Sequence, residues 1–177
     1  SDSTIVENPR YLRKSEAKLK REQRKLSRKT KGSNSRKEQR TRVAKIHRKV
    51  KNQRNDFLHK ESCKLVRKYD VIVFEDLRIQ NMLKNHKLAK SISDASWSKF
   101  IEYTTYKAES AGKQVILVNP QNTSQICSGC GLIVKKSLVA RTHKCPYCGL
   151  ILDRDVNAAI NILRAGTAPG GATAVAG

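Results

Sequence analysis

The chain has 177 residues, with 37 Lys or Arg against 15 Asp or Glu, a formal net charge of +22 and a sequence pI of about 10.2. This length holds one domain, or one domain plus a small module. Its 38% hydrophobic and 5% aromatic residues fall below the roughly 45–50% apolar usage of ordinary globular domains, so the core must be small or unevenly placed. No apolar run approaches the roughly 20 residues of a membrane helix and no charged-then-apolar leader is visible. Nothing in the sequence therefore argues for secretion or membrane insertion, and the expected compartment is the cytosol or nucleoid. Of the five cysteines, four form two C-x-x-C pairs, which in a reducing compartment points to metal and not to disulfides.

The charge is concentrated. Residues 1–68 hold 24 basic and 7 acidic residues, a net +17, and residues 69–177 hold 13 and 8, a net +5. The segment 12–29 lacks helix breakers and carries Leu12, Leu19 and Leu26 at seven-residue spacing, which predicts a helix with one narrow apolar stripe. Lys31-Gly32-Ser33-Asn34-Ser35 has the composition of a short loop. A second helix is predicted over 36–68, with Val43, Ile46, Val50, Phe57, Leu58, Leu65 and Val66 at helical spacing. Two long helices across a short loop make an antiparallel hairpin. Its acidic residues are too few to neutralise the outer faces, so the hairpin repels itself unless a polyanion lies against it. Arg21, Arg24, Lys25, Arg28, Lys29, Arg36, Lys37, Arg40 and Arg42 are the candidate nucleic-acid contacts.

From Tyr69 the pattern changes. Val71-Ile72-Val73-Phe74 is a continuous run of β-formers ending at Glu75-Asp76, the mark of a strand buried on both faces. After a polar stretch, Ser93 or Ser96 is placed to cap a helix reaching Ala111, with Trp97, Phe100, Ile101, Thr104 and Ala108 on its core stripe. Gly112 stops it, and Val115-Ile116-Leu117-Val118 is a second buried strand. Strand, helix, strand predicts an α/β unit with helices covering a sheet.

Cys127-Ser128-Gly129-Cys130 and Cys145-Pro146-Tyr147-Cys148 are separated by 14 residues. That spacing fits four-thiolate tetrahedral zinc in a ribbon, closed to substrate and therefore structural. Gly129, Gly131 and Gly149 are expected at turn positions needing positive φ. With four thiolates available, His143 reads as a surface side chain, and Cys63 as a small buried apolar residue. Trp97 reads as core. Tyr147 is open to two readings, nucleic-acid contact or packing within the ribbon.

Beyond the ribbon, Asp153 or Asp155 opens a helix whose Ala158 and Ala159 permit close packing on a sheet. In open α/β sheets, sites lie at the carboxyl ends of strands, where Glu75 also falls. Two carboxylates brought together in so cationic a chain fit Mg²⁺, which prefers oxygen ligands and can activate water against a phosphodiester.

The runs Asn119-Pro120-Gln121-Asn122-Thr123-Ser124-Gln125-Ile126-Cys127-Ser128-Gly129-Cys130-Gly131, Cys145-Pro146-Tyr147-Cys148-Gly149 and Asp153-Arg154-Asp155-Val156-Asn157-Ala158-Ala159-Ile160-Asn161 resemble the C-terminal half of OrfB/TnpB proteins of insertion sequences. Val73-Phe74-Glu75-Asp76-Leu77 and the basic stretch from Glu7-Asn8-Pro9-Arg10 onward are similar to the family as well. The resemblance implies an RNA-guided DNA endonuclease related to type V CRISPR effectors, with DNA and guide RNA as partners. It implies an RNase H-like, RuvC-type fold interrupted by a zinc ribbon, in which three carboxylates hold two Mg²⁺ ions. By motif position Glu75 is the second carboxylate and Asp155, two residues before Asn157, the third.

The family carries the first carboxylate in a Gly-x-Asp-x-Gly segment, and nothing similar precedes Thr4-Ile5-Val6. The chain is thus expected to be an N-terminally truncated nuclease, inactive alone, that still binds nucleic acid. The expected parts are a partial nuclease domain over 1–119 with the hairpin at 11–68, a ribbon over 120–152, a last helix at 153–165 and a disordered tail at 166–177. The rival class is a non-enzymatic basic zinc-ribbon protein of ribosomal or chromatin type.

Overall fold

The computed structural model describes residues 4–137, 140–168 and 173–174. They form two compact units, one of residues 7–63 and 79–103, the other of residues 4–6, 64–78, 104–137, 140–168 and 173–174.

The first unit is helical. Helices α1 (Tyr11–Ser27) and α2 (Asn34–Lys68) contain neither Gly nor Pro and run antiparallel. At 35 residues α2 is about 50 Å long. The expected seam forms: Leu19 is buried on α1, with Leu12 and Leu26 half-buried, and Val43, Val50 and Leu58 are buried on α2. Tyr11 meets Phe57 edge-on at 6.5 Å between centroids. The turn uses Gly32 at φ +86°, the left-handed region where glycine is unstrained, and Ser33 Oγ accepts from the Arg36 N–H at 3.2 Å to cap α2.

Polar groups fix the hairpin's register. Gln39 Nε2 donates to the Glu22 carbonyl at 3.0 Å and to Glu22 Oε2 at 2.8 Å, and both residues are buried. The Gln39 amide and the Lys25 ammonium hold the Glu22 carboxyl down at about 2. Arg36 Nη1 donates to the Leu26 and Lys29 carbonyls at 2.8 and 2.9 Å, satisfying acceptors that the end of α1 leaves open.

Helices α3 (Ile79–Leu83), α4 (His86–Ala95) and α5 (Trp97–Ser110) follow. The polar stretch before Ser93, for which no element was predicted, thus holds α3 and most of α4, and the chain turns into α5 at Ser96, φ +53°. Asp94 on α4 is buried, accepting from Arg54 Nε and Nη2 at 2.9 and 2.6 Å and from the Leu12 N–H at 3.3 Å. It thereby caps α1, whose own Arg10 offers no side-chain cap. Trp97, expected in the core, is 40% exposed. Cys63 is only partly buried, and its neighbour Ser62 takes the buried position with Oγ on the Leu58 carbonyl.

The second unit holds the sheet. Strands β1 (Val71–Glu75) and β2 (Gln114–Val118) pair in parallel, with Glu75 opposite Val118. Val66, Ile72, Ala108 and Val115 form its core. Gly112, at φ +66°, ends α5, and the Lys113 N–H returns to the Ala108 carbonyl. The ribbon hairpin, β3 (Thr142–Lys144) with β4 (Ile151–Asp153), leads into helix α6 (Arg154–Thr167). α6 runs past the expected end at 165. A two-residue strand β5 (Thr173–Ala174), placed where a disordered tail was expected, pairs antiparallel with β2. The other tail residues, 169–172 and 175–177, lie outside the described set.

α6 packs so close to β1 that a Cβ on Gly166 would lie 2.5 and 2.7 Å from the Val73 methyls. Gly166→Ala should lower stability by about 1–2 kcal/mol net, overpacking outweighing the gain in helix propensity. In a Val73→Ala background the same change should be neutral or stabilising; thermal melts of the four variants check this. Glu22, depressed from 4.5 to about 2, contributes stability that is complete above pH 4.5 and is lost as pH falls toward 2. Acid titrations followed by circular dichroism should show Glu22→Gln flattening the loss in that window. Glu16, lowered by Lys90 and Lys20, retains part of it.

Candidate metal centre and nucleic-acid surface

The two cysteine pairs sit on matching turns. In each, the N–H of the first cysteine donates to the carbonyl five residues on, Cys127 to Leu132 and Cys145 to Leu150, both at 2.9 Å. The carbonyl of that cysteine accepts from the glycine four residues on, Gly131 or Gly149. Those glycines have φ +78° and +74°, as expected. Gly129 does not share the positive φ that was expected of it; what it needs is space, since a Cβ there would lie 3.3 Å from Cys148 Sγ and from Leu150.

These turns bring the four sulfurs together. Cys127 and Cys148 are 3.6 Å apart, Cys130 and Cys145 also 3.6 Å, and all four lie within 4.8 Å of one another. A tetrahedron of thiolates at ~2.3 Å from one ion has sulfurs about 3.8 Å apart, so the quartet can hold a metal ion. Burial pushes the Cys145 thiol up, but the N–H groups of Cys148 and Tyr147 outweigh it and bring it to about 6. The Leu150 N–H draws Cys148 down, while burial and the neighbouring cysteines push it to about 12. Four crowded thiols do not all ionise without a cation among them.

Helix α6 anchors the first turn. Asn157, wholly buried, accepts from the Ser128 N–H at 2.9 Å and donates to the Ile126 carbonyl at 2.8 Å. Asn161 Nδ2 donates to the Thr123 and Ile126 carbonyls at 2.9 and 2.7 Å, and Arg164 donates to the Ser128 carbonyl. Spaced i, i+4, i+7, the three form one face of the helix. Sequence reasoning treated Asn157 only as a landmark; polar residues at this spacing amid Ala and Ile were the available signal.

Asp153 caps α6, accepting from the Asp155 and Val156 N–H groups at 2.8 and 3.2 Å. This separates the two aspartates: Asp153 is committed to the backbone, while Asp155 projects from the first turn with a side chain 70% exposed, 3.3 Å from Arg154 and 3.8 Å from Arg141. Glu75 ends β1, and its Oε1 accepts from Thr123 Oγ1 at 2.5 Å, a contact not foreseen from sequence. Among the described residues, the cysteines alone form a converging group of three or more possible ligand residues, and Glu75 and Asp155 are in no such group. His143, expected at the surface, is fully buried in the ribbon, and Tyr147 is 65% exposed.

On the hairpin, Arg21, Arg24, Lys25 and Arg28 share one exposed face of α1 and, with Ala17 and Lys20, line an open hollow. Arg21 and Lys25 reach Glu22 at 3.3 and 3.2 Å. Arg24, Arg28, Lys37, Arg40 and Arg42 are exposed, with no ion pair among the described residues. Lys29 and Arg36 are half-buried at the hairpin turn, Lys29 on Ser35 Oγ and Arg36 on the two carbonyls.

Two family models match the chain: "Probable transposase", OrfB of the IS605 type, over residues 1–86, and "Cas12f1-like, TNB domain" over residues 97–162. A Streptomyces pristinaespiralis protein named "Putative RNA-guided DNA endonuclease" is 43% identical over 165 residues, covering 92% of this chain and 41% of that protein. InsQ of Escherichia coli K12, which carries the same description, is 35% identical over 184 residues, 95% of this chain and 46% of that one. The fold is shared with a Cas12f1 chain in the cryo-EM structure of a Cas12f1–sgRNA–target DNA complex, at TM-score 0.59 and 20% identity over 85% of this chain and 41% of the other. The chain spans somewhat under half the length of these relatives, and it belongs to the OrfB/TnpB family.

Proposed function

We propose that the chain is the nuclease-and-ribbon portion of an RNA-guided DNA endonuclease, built on a RuvC-like, RNase H-type sheet. The relatives' names support this reading and do not favour a ribosomal or chromatin-type ribbon. The observation that carries it is the construction of α6. The helix bears Asp155 in its first turn and, three turns along one face, grips the loop whose Thr123 holds Glu75. One element thus sets two carboxylates and the ribbon at once.

Zn²⁺ in the four-thiolate site supplies folding energy to a module with little core of its own. Mg²⁺ suits the carboxylates, being a hard cation that takes oxygen ligands, and when bound it activates water and stabilises a leaving oxygen. Glu75 and Asp155 would hold it. Thr123 keeps the Glu75 carboxylate pointed in one direction, while Arg154 and Arg141 lie 3.3 and 3.8 Å from the Asp155 carboxylate. The exposed cations of the hairpin would take the phosphate backbone of a guide RNA–target DNA heteroduplex, recognised by shape and charge and not by sequence.

Mn²⁺ binding to the full chain, read by electron paramagnetic resonance, should be lost in Glu75→Gln and in Asp155→Asn. Retention of parental affinity in both would remove the carboxylates from the proposed site. For the hairpin, replacing Arg24, Arg28, Arg40 and Arg42 together by Gln should weaken heteroduplex binding and lower the slope of log K against log salt by up to ~0.7–0.9 per lost phosphate contact. An unchanged slope, measured by fluorescence anisotropy, would make these residues a solvated face.

A further inference from the structure

The connection from β2 to the first cysteine turn doubles back toward the strand it leaves. Strand β2 ends at Val118, opposite Glu75, and five residues later the chain has returned to put Thr123 Oγ1 on the Glu75 carboxylate. The Gln121 N–H donates to Asn119 Oδ1 at 2.9 Å, which starts the reversal. Asn122 completes it at φ +61°, in the left-handed region. Its carbonyl accepts from the Gln125 and Ile126 N–H groups at 2.8 and 2.9 Å. The Asn122 side chain is half-buried and makes no hydrogen bond among the described residues. What this residue contributes is therefore its backbone: left-handed φ is costly for most residues that carry a Cβ, and asparagine is among the few that enter it readily.

Thr123 is the residue that this backbone aims. It is buried, and Asn161 Nδ2 holds its carbonyl at 2.9 Å. Its hydroxyl lies between two acceptors, Glu75 Oε1 and, at 3.2 Å, the Pro120 carbonyl. A hydroxyl has one proton to give, so the path of the turn decides which acceptor receives it.

We propose that Asn122 is a positioning residue for Glu75, its left-handed backbone fixing the turn that directs the Thr123 hydroxyl onto the carboxylate. A ligating carboxylate depends on such a hydrogen bond for its orientation. Here the orientation is set by a residue that makes no hydrogen bond to the carboxylate itself. The inference rests on the proposed metal site at Glu75, and the two can fail separately.

The test uses the zinc-loaded full chain and Mn²⁺ alone as the probe, with affinity read by electron paramagnetic resonance at a temperature where circular dichroism shows every variant folded. Thr123→Val, which removes the hydroxyl and keeps the shape, should weaken Mn²⁺ by about 10- to 100-fold. Asn122→Ala should weaken it as well, whereas Asn122→Gly, which takes a left-handed backbone without strain, should keep parental affinity. In the Thr123→Val background Asn122→Ala should cost nothing more, because the loss it causes runs through that hydroxyl. Parental affinity in Asn122→Ala, an equal loss in Asn122→Gly, or an undiminished loss on top of Thr123→Val would each overturn the proposal and leave Asn122 serving only the ribbon's turn. If Asn122→Ala does not fold, Thr123→Val carries the test, and parental affinity in that variant overturns the proposal. A parent whose Mn²⁺ binding is untouched by Glu75→Gln overturns the carboxylate site, and this inference with it.

Discussion

A turn that points two cysteines at one ion leaves backbone groups facing inward without strand or helix partners, and buried backbone groups must be paired. In this chain α6 provides for the first turn: Asn157, Asn161 and Arg164 take the Thr123, Ile126 and Ser128 carbonyls and the Ser128 N–H. The same helix lies against the sheet at van der Waals limits through Gly166 and Val73. Ribbon and sheet are therefore tied to one rigid rod, and Thr123, at the edge of the clamped loop, passes that constraint to Glu75. The cysteine quartet that can hold a metal ion and the carboxylate on the strand are separate sites on a shared support.

The helical unit solves a different problem. Residues 1–68, at net +17, gain little from a narrow apolar seam, and two buried carboxylates of the helical unit, one of them outside that segment, hold its register. Glu22 is buried against Gln39, and Asp94 serves Arg54 and the start of α1 together. Most of the remaining cations stay on the outside, where a polyanion can lower their mutual repulsion. Lys29 and Arg36 show the limit of reading charge as function, because the hairpin turn itself uses both.

What could be read from the sequence followed periodicity and spacing. The leucine stripe, the apolar runs at 71–74 and 115–118 and the paired cysteines each carry a local signal, and each forms its element, although β1 is fully buried only at Ile72 and leaves Val71 38% exposed where burial on both faces was expected. What was missed depends on partners distant in sequence. β5 is Thr-Ala and becomes a strand only because β2 offers an edge. α4 looked polar, yet Asp94 and Ile92 are buried in it. His143 read as surface because its burial is set by the ribbon's closure, and the residues alone left open which of Asp153 and Asp155 opens α6, a role the cap gives to Asp153.

The central claim is that a metal-loaded ribbon holds Glu75 in place through Asn161 and Thr123. Hydrogen exchange of the full chain with zinc and after chelation tests it most directly. The account predicts faster exchange at residues 123–134 and 142–153, together with faster exchange at 74–77, while 11–60 is unchanged. Loss of protection confined to the ribbon, with 74–77 as protected as before, would contradict it.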